Sequence, residues 1–203
     1  MSEFFWDQRS KKYDEAIQQH DGLYDQTLAE AKAYLSKSDL VLDFGCASGE
    51  VALDLAPHVA YVYGVDSSAK MVELAQKKAV DRQIENVSFQ RADRPPTDPQ
   101  ITAVVAFNVL HLVDDISQTL AQLYEVLPVG GLLISQTPCL GDWGWLLRSL
   151  INLAQRFGLA PAVLNLTAKK LEAVFTRSNF EIIEIKVWDE KNKIQSIVVR
   201  KSN

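Results

Sequence analysis

Short apolar runs alternate along this chain with longer stretches whose apolar positions recur every three or four residues. Two polar-faced helices are predicted at the start, roughly residues 5–20 and 23–36, split by Asp21-Gly22. Ser38-Asp39 introduces the apolar run Leu40-Val41-Leu42, which ends at Asp43; a helical pattern follows Gly49 until Pro57. The β-branched and aromatic run Val59 to Val65 ends at Asp66, and Ser67 or Ser68 suits the N-cap of a helix carrying Met71, Val72, Leu74 and Ala75. The alternation continues with a short strand from Asn86 to Phe89, a Pro-rich loop from Arg94 to Pro99 and a buried-type strand from Ile101 to Phe107. A helix over Ile116 to Val126, the turn Pro128-Val129-Gly130-Gly131 and a strand from Leu132 to Ser135 follow. After Thr167, an N-cap, comes a helix through Arg177, then strands over Phe180 to Trp188 and Ile194 to Val199 joined by Asp189-Glu190-Lys191-Asn192 as an antiparallel hairpin.

Apolar strands interleaved with helices predict an α/β fold, a mostly parallel sheet covered on both faces. The chain has 203 residues, the size of a single domain. Within it, residues 1–37 form N-terminal helices and 38–136 a nucleoside-cofactor core, 137–166 a helical insertion on the substrate side, and 167–203 the last helix and hairpin. Net charge is -5 and the pI about 5.2, which argues against a general nucleic-acid binder. There is no secretory h-region at the start and no uncharged stretch of membrane-spanning length, so a cytoplasmic protein is expected. Cys46 and Cys139 stand far apart without a CxxC or Cys/His cluster, and no metal site is expected.

Ligands of open α/β sheets sit off the carboxyl ends of the strands. There the first strand runs into Asp43-Phe44-Gly45-Cys46-Ala47-Ser48-Gly49, small residues that permit a sharp turn and close approach of a ligand. Asp66 ends the second strand 21 residues after Gly45, where a Rossmann-like domain holds a ribose diol. The dinucleotide fingerprint GxGxxG is not met, because the spacing Gly-Cys-Ala-Ser-Gly is one residue shorter. Asp43 would also repel a pyrophosphate and suit an ammonium or sulfonium. Charge sign therefore favours S-adenosyl-L-methionine over NAD, and a NAD-dependent oxidoreductase is the lesser alternative.

With these motifs the chain resembles the class I S-adenosylmethionine-dependent methyltransferases over essentially its whole length. Asp43–Gly49 is similar to their first motif, DxGxGxG, with Ala47 in place of the middle glycine; a position that needs positive φ would strain it. Val62-Tyr63-Gly64-Val65-Asp66-Ser67-Ser68 resembles the second motif, with Asp66 as ribose acid and Met71 near the adenine. Arg91-Ala92-Asp93 looks like the segment whose acid contacts the adenine amino group. Phe107-Asn108-Val109-Leu110-His111 resembles the loop flanking the methionine moiety, and Leu127-Pro128-Val129-Gly130-Gly131-Leu132-Leu133 the LKPGGxL turn. Trp6-Asp7-Gln8-Arg9-Ser10-Lys11-Lys12-Tyr13-Asp14 looks like a WDxxAxxYD segment of small-molecule enzymes near the ubiquinone and menaquinone methyltransferases, with Tyr13 by the cofactor carboxylate. The resemblance implies a Rossmann-like seven-stranded sheet whose last, antiparallel strand is inserted between its neighbours. It also implies methyl transfer to a small molecule.

Methyl transfer from a sulfonium needs an in-line nucleophile above all, and oriented proximity can supply about 7 to 11 kcal/mol. His111 is the candidate base, although it can equally start the next helix or pack under the cofactor. Cys46 is expected to contact the cofactor through its backbone, since nothing beside it would activate a thiolate. His20 and His58 read as surface residues. In the insertion, Trp143, Leu146, Leu147, Leu150, Ile151, Ala154 and Phe157 recur at helical spacing opposite Arg148, Asn152, Gln155 and Arg156. Its apolar face, with Trp145 and Leu159, is read as a lid over an apolar substrate, against an ordinary helix packed on the core or attachment to a membrane surface or second subunit. The sequence thus points to a methyltransferase acting on a small, partly apolar metabolite, as monomer or homodimer. A cofactor-binding protein without transfer activity is the other alternative.

Overall fold

The structure is a computed structural model that describes residues 5–10, 13, 21–96, 100–189 and 193–202. Its strands are β1 (Leu40–Phe44), β2 (Tyr61–Asp66), β3 (Val87–Arg91), β4 (Ala103–Phe107), β5 (Leu132–Pro138), β6 (Phe180–Asp189) and β7 (Ile194–Lys201). The helices are α1 (Asp21–Tyr34), α2 (Glu50–Leu55), α3 (Ala69–Asp81), α4 (Ile116–Val126), α5 (Trp145–Arg156) and α6 (Ala168–Arg177). A further helical segment covers residues 5–10.

All seven strands join one sheet in the order β3-β2-β1-β4-β5-β7-β6. The first five run parallel, and β7 pairs antiparallel with both β5 and β6. The expected Rossmann-like sheet with an inserted last strand is therefore present. Side chains alternate across the pleat as a doubly covered sheet requires. Val41, Ala103 and Val105 pack with Ala31 of α1, Leu53 and Leu55 of α2 and Ala75 of α3. Leu42, Val104 and Ala106 face the other way, onto Leu120 and Leu123 of α4 and Leu171 and Phe175 of α6. Every one of these side chains is at most 1% exposed.

Helix caps follow the sequence. Ser68 accepts from the Met71 N–H at the start of α3, Asp115 from the Ser117 and Gln118 N–H groups at α4, and Thr167 from Lys170 at α6. One boundary differs. Asp21 and Gly22, the expected break, both lie within α1. The rest of the predicted 5–20 helix, residues 14–20 with His20, lies outside the described residues, as do Lys11 and Lys12. So do parts of the Pro-rich loop and of the hairpin turn.

Strand order reverses between β1 and β4, so the connections leaving their carboxyl ends diverge and open a crevice. That switch point positions the site.

Candidate functional site

Two connected hollows open at the switch point. The larger, about 390 Å³, is lined among others by Tyr13, Asp43, Cys46, Ser48, Gln136 and Trp143. The smaller, about 40 Å³, is lined by Trp6, Asp66, Met71 and Leu112, among others. Tyr13, Gly45, Ala47, Phe107 and Asn108 border both. The strand-one turn, the β2 terminus, the β4 loop and the N-terminal segment therefore converge on one cleft.

The turn after β1 is shaped by backbone bonds and by an acid. Gly45 and Cys46 both donate to the Val65 carbonyl, at 2.9 and 3.0 Å. Asp66 accepts from the Ala47 N–H at 3.0 Å through Oδ2 and from the Ser68 N–H at 2.8 Å through Oδ1. The carboxylate thus braces the turn and caps the start of α3 together. The Ser67 N–H bears on the carboxylate as well, and with about four acceptor sites in all it can still accept from a ribose hydroxyl. Gly45 sits at φ +78° and Gly49 at φ +82°. A Cβ at Gly45 would fall on Val109 Cγ2, and one at Gly49 would lie 2.7 Å from Ala75 Cβ. These glycines make room for the protein's own side chains rather than chiefly for a ligand. Ala47 adopts φ +46°, the strained left-handed conformation foreseen for it. Asn108 is also left-handed, at φ +54°, a conformation Asn tolerates well.

Asp43 lies on the cleft floor, 3% exposed, with no hydrogen-bond partner for Oδ2. Burial, and secondarily the charge of Asp66, pushes its carboxyl up to about 7. Burial also raises Asp66, against the pull of its backbone donors. Glu50, on the same wall, is already paired with Lys78 and Arg82 at 2.6 and 2.7 Å. No Lys, Arg or His lines either hollow among the described residues. The cleft is acidic without basic relief, and its floor has an unsatisfied oxygen.

The remaining candidates divide. Met71, 1% exposed, reaches the smaller hollow, and Cys46 lines the larger with its thiol pushed well up by burial, as an inert thiol should be. Ser67 and the exposed Asp93 border neither hollow. His111 is likewise outside both. Its Nδ1 is buried without a partner, and burial holds the imidazole down at about 4. Trp143 lines the larger hollow, but Trp145 is 73% exposed and away from it. No residue of α5 is buried, and none borders the cleft, so this helix is neither closed as a lid nor packed in the core.

Several wall residues carry no motif. Gln136 of β5 donates to Thr27 Oγ1 of α1 at 2.6 Å, across 109 residues of sequence. Tyr24 donates to Asp54 at 2.7 Å, and burial raises its phenol. Pro138, Trp143 and Ile194 complete that end. Asp7, within the N-terminal motif, accepts from the Ser68 hydroxyl at 2.6 Å and pins the segment carrying Trp6 across the cleft.

Fold and cleft together define a nucleoside-cofactor protein of the methyltransferase type. The chain belongs to the methyltransferase domain family, whose profile it matches over residues 13–185. Uncharacterized methyltransferase YcgJ of Bacillus subtilis (strain 168) is 31% identical over 94 residues, 45% of this chain and 37% of the relative. Trans-aconitate 2-methyltransferase of Deinococcus radiodurans is 34% identical over 104 residues, covering 50% and 39%. These matches span well under half the length of those relatives. Among solved structures, geranyl diphosphate C-methyltransferase of Streptomyces coelicolor A3(2) superposes with a TM-score of 0.73 at 15% identity, over 95% of this chain and 82% of that one.

S-adenosylmethionine is the cofactor this family implies, and the cleft fits it. A sulfonium and an ammonium match an acidic cleft whose floor carries the unpartnered Asp43 Oδ2. A diol matches the braced carboxylate of Asp66.

Proposed function

We propose that this chain is a class I S-adenosylmethionine-dependent methyltransferase acting on a small, partly apolar metabolite. The observation that carries the reading is the charge of the cleft. Asp43 and Asp66 enter it, and no basic side chain among the described residues does. A cationic cofactor is favoured there and a pyrophosphate such as that of NAD is repelled. By the same argument the acceptor is neither a diphosphate nor a polyanion. Trans-aconitate, named for one relative, and geranyl diphosphate, named for the solved structure, are therefore disfavoured for this chain.

In this reading Asp66 holds the ribose, Met71 borders the adenine and Asp43 with the Gly45–Gly49 turn holds the amino-acid end; Tyr13 and Asn108 close over it. The bound cofactor supplies an electrophilic methyl group. The protein's part is to orient the acceptor between Phe107, Gln136, Pro138 and Trp143 and to keep water out. With His111 off the cleft, catalysis rests on positioning rather than on an imidazole base. The resemblance to the ubiquinone and menaquinone group is supported by Trp6 and Tyr13, which border the cleft as that N-terminal segment requires.

Calorimetry with S-adenosylmethionine, S-adenosylhomocysteine and NAD tests the cofactor. Binding of NAD alone overturns the proposal. Incubation with methyl-labelled cofactor and fractionated cell extract then identifies the acceptor. One observation favours a second reading, binding without transfer: the absence of an imidazole or amine base from the cleft walls among the described residues. Under it the cofactor binds but no extract component gains label.

A further inference from the structure

We propose that α5 is a membrane-surface anchor, docking the protein on bilayers rich in anionic lipid. Leu146, Leu150, Leu153 and Phe157 follow the i, i+4, i+7, i+11 spacing of one helical ridge, and they are 62%, 62%, 53% and 70% exposed. The ridge is about 16 Å long, and Leu159, 63% exposed, extends it. Opposite it, Arg148, Ile151, Ala154 and Gln155 are the half-covered side of the helix. The far end is tied down by Arg9, which donates to the Leu159 carbonyl at 2.8 Å, and by Gln155, which donates to the Pro161 carbonyl at 2.9 Å. The helix is thus held with its greasy side outward. An apolar face of this size is a site of association.

Charge decides the partner. Residues 143–170 contain four basic side chains, Arg148, Arg156, Lys169 and Lys170, and not one Asp or Glu. The chain as a whole is at -5, so the other residues carry a net -9. The exposed ridge therefore lies in a segment whose charge is opposite in sign to that of the chain as a whole. Arg148 lies on the covered side, but Arg156 is exposed beside the ridge; two copies meeting through this helix would bring like charges together, whereas an anionic headgroup layer complements them. Aromatic and aliphatic side chains with basic neighbours in a helix of low mean hydropathy are the makings of an interfacial helix. Trp143, two residues before α5, lines the larger hollow, so docking would set the cleft mouth beside the bilayer. The docking itself does not depend on the methyl-transfer reading.

Sedimentation of the full chain with vesicles tests this. With phosphatidylcholine and phosphatidylglycerol at roughly two to one, the protein is expected to pellet; with phosphatidylcholine alone, or in about 1 M salt, it stays largely in solution. The double variant Leu150→Gln/Leu153→Gln, changed only at exposed positions and checked for native circular dichroism, should lose at least about tenfold in partition. Arg156→Gln should weaken binding to anionic vesicles severalfold. Failure of the unaltered chain to pellet with anionic vesicles overturns the proposal, as does undiminished partition of the double variant. Light scattering that shows a dimer converted to monomer by that variant, without vesicle binding, assigns the face to a second copy instead.

Discussion

Asp43 carries two opposed demands. Its ordinary carboxyl value, 3.8, is raised to about 7 in the folded chain, so the folded state binds more protons than the unfolded one between those values. Stability therefore falls as pH rises from about 4 to about 7. Asp43→Asn should accordingly stabilise the free protein at about pH 8, by on the order of 2 kcal/mol in denaturant titrations. A cationic ligand favours the ionised carboxylate, so cofactor affinity should rise with pH through about 7. The same Asn variant should lose roughly tenfold to hundredfold in affinity and lose that pH dependence, both read by calorimetry. At position 47 the prediction has the opposite character. Ala47→Gly removes a left-handed strain of about 1 kcal/mol, part of which is offset by the freer unfolded chain. A net gain of about 0.5 kcal/mol and undiminished cofactor affinity are expected from thermal unfolding and calorimetry. The strain was foreseeable from sequence, because the motif's middle glycine is missing. The partner of Gly45 was not: Val109 lies 64 positions away, and only the parallel pairing of β1 with β4 brings it against the turn.

At the scale of elements, the N-terminal segment acts as a strap. Asp7 accepts from the Ser68 hydroxyl at the head of α3, and Ser68 holds Asp7 below its ordinary value. Trp6 and Tyr13 meet edge to plane with ring centres 6.0 Å apart and border the cleft. Asp7→Ala should leave the melting temperature within about 2 °C, since the Ser68 cap to Met71 remains. It should nevertheless raise the cofactor dissociation rate severalfold in stopped-flow measurements, because the strap loses its tether. Most elements were legible in advance: strands buried on both faces read as apolar runs, and caps at Ser68 and Thr167 marked helix starts. The break expected at Asp21-Gly22 was not legible, since both residues are helical. The seat of α5 could not be read either. An amphipathic pattern states which face is apolar but not what covers it.

For the whole molecule, a ligand that binds only the folded state raises its stability by mass action. S-adenosylhomocysteine at about 100 times its dissociation constant should add about 2.7 kcal/mol, a rise of roughly 5–11 °C in melting temperature for a chain of this size, whereas NAD should leave it unchanged. The cleft that makes this distinction has walls from α1, the β1 turn, β4, β5 and β7, gathered by the strand order β3-β2-β1-β4-β5-β7-β6. Local sequence determined the alternation of strands and helices, the turn bearing Asp43 and the acid at Asp66, since each depends on neighbours a few residues apart. Tertiary structure alone decided that Gln136 meets Thr27, that His111 lines neither hollow, and that the ridge of α5 looks outward. Those facts depend on where distant backbones come to rest, and hydrophobic periodicity carries no information about which surfaces then meet.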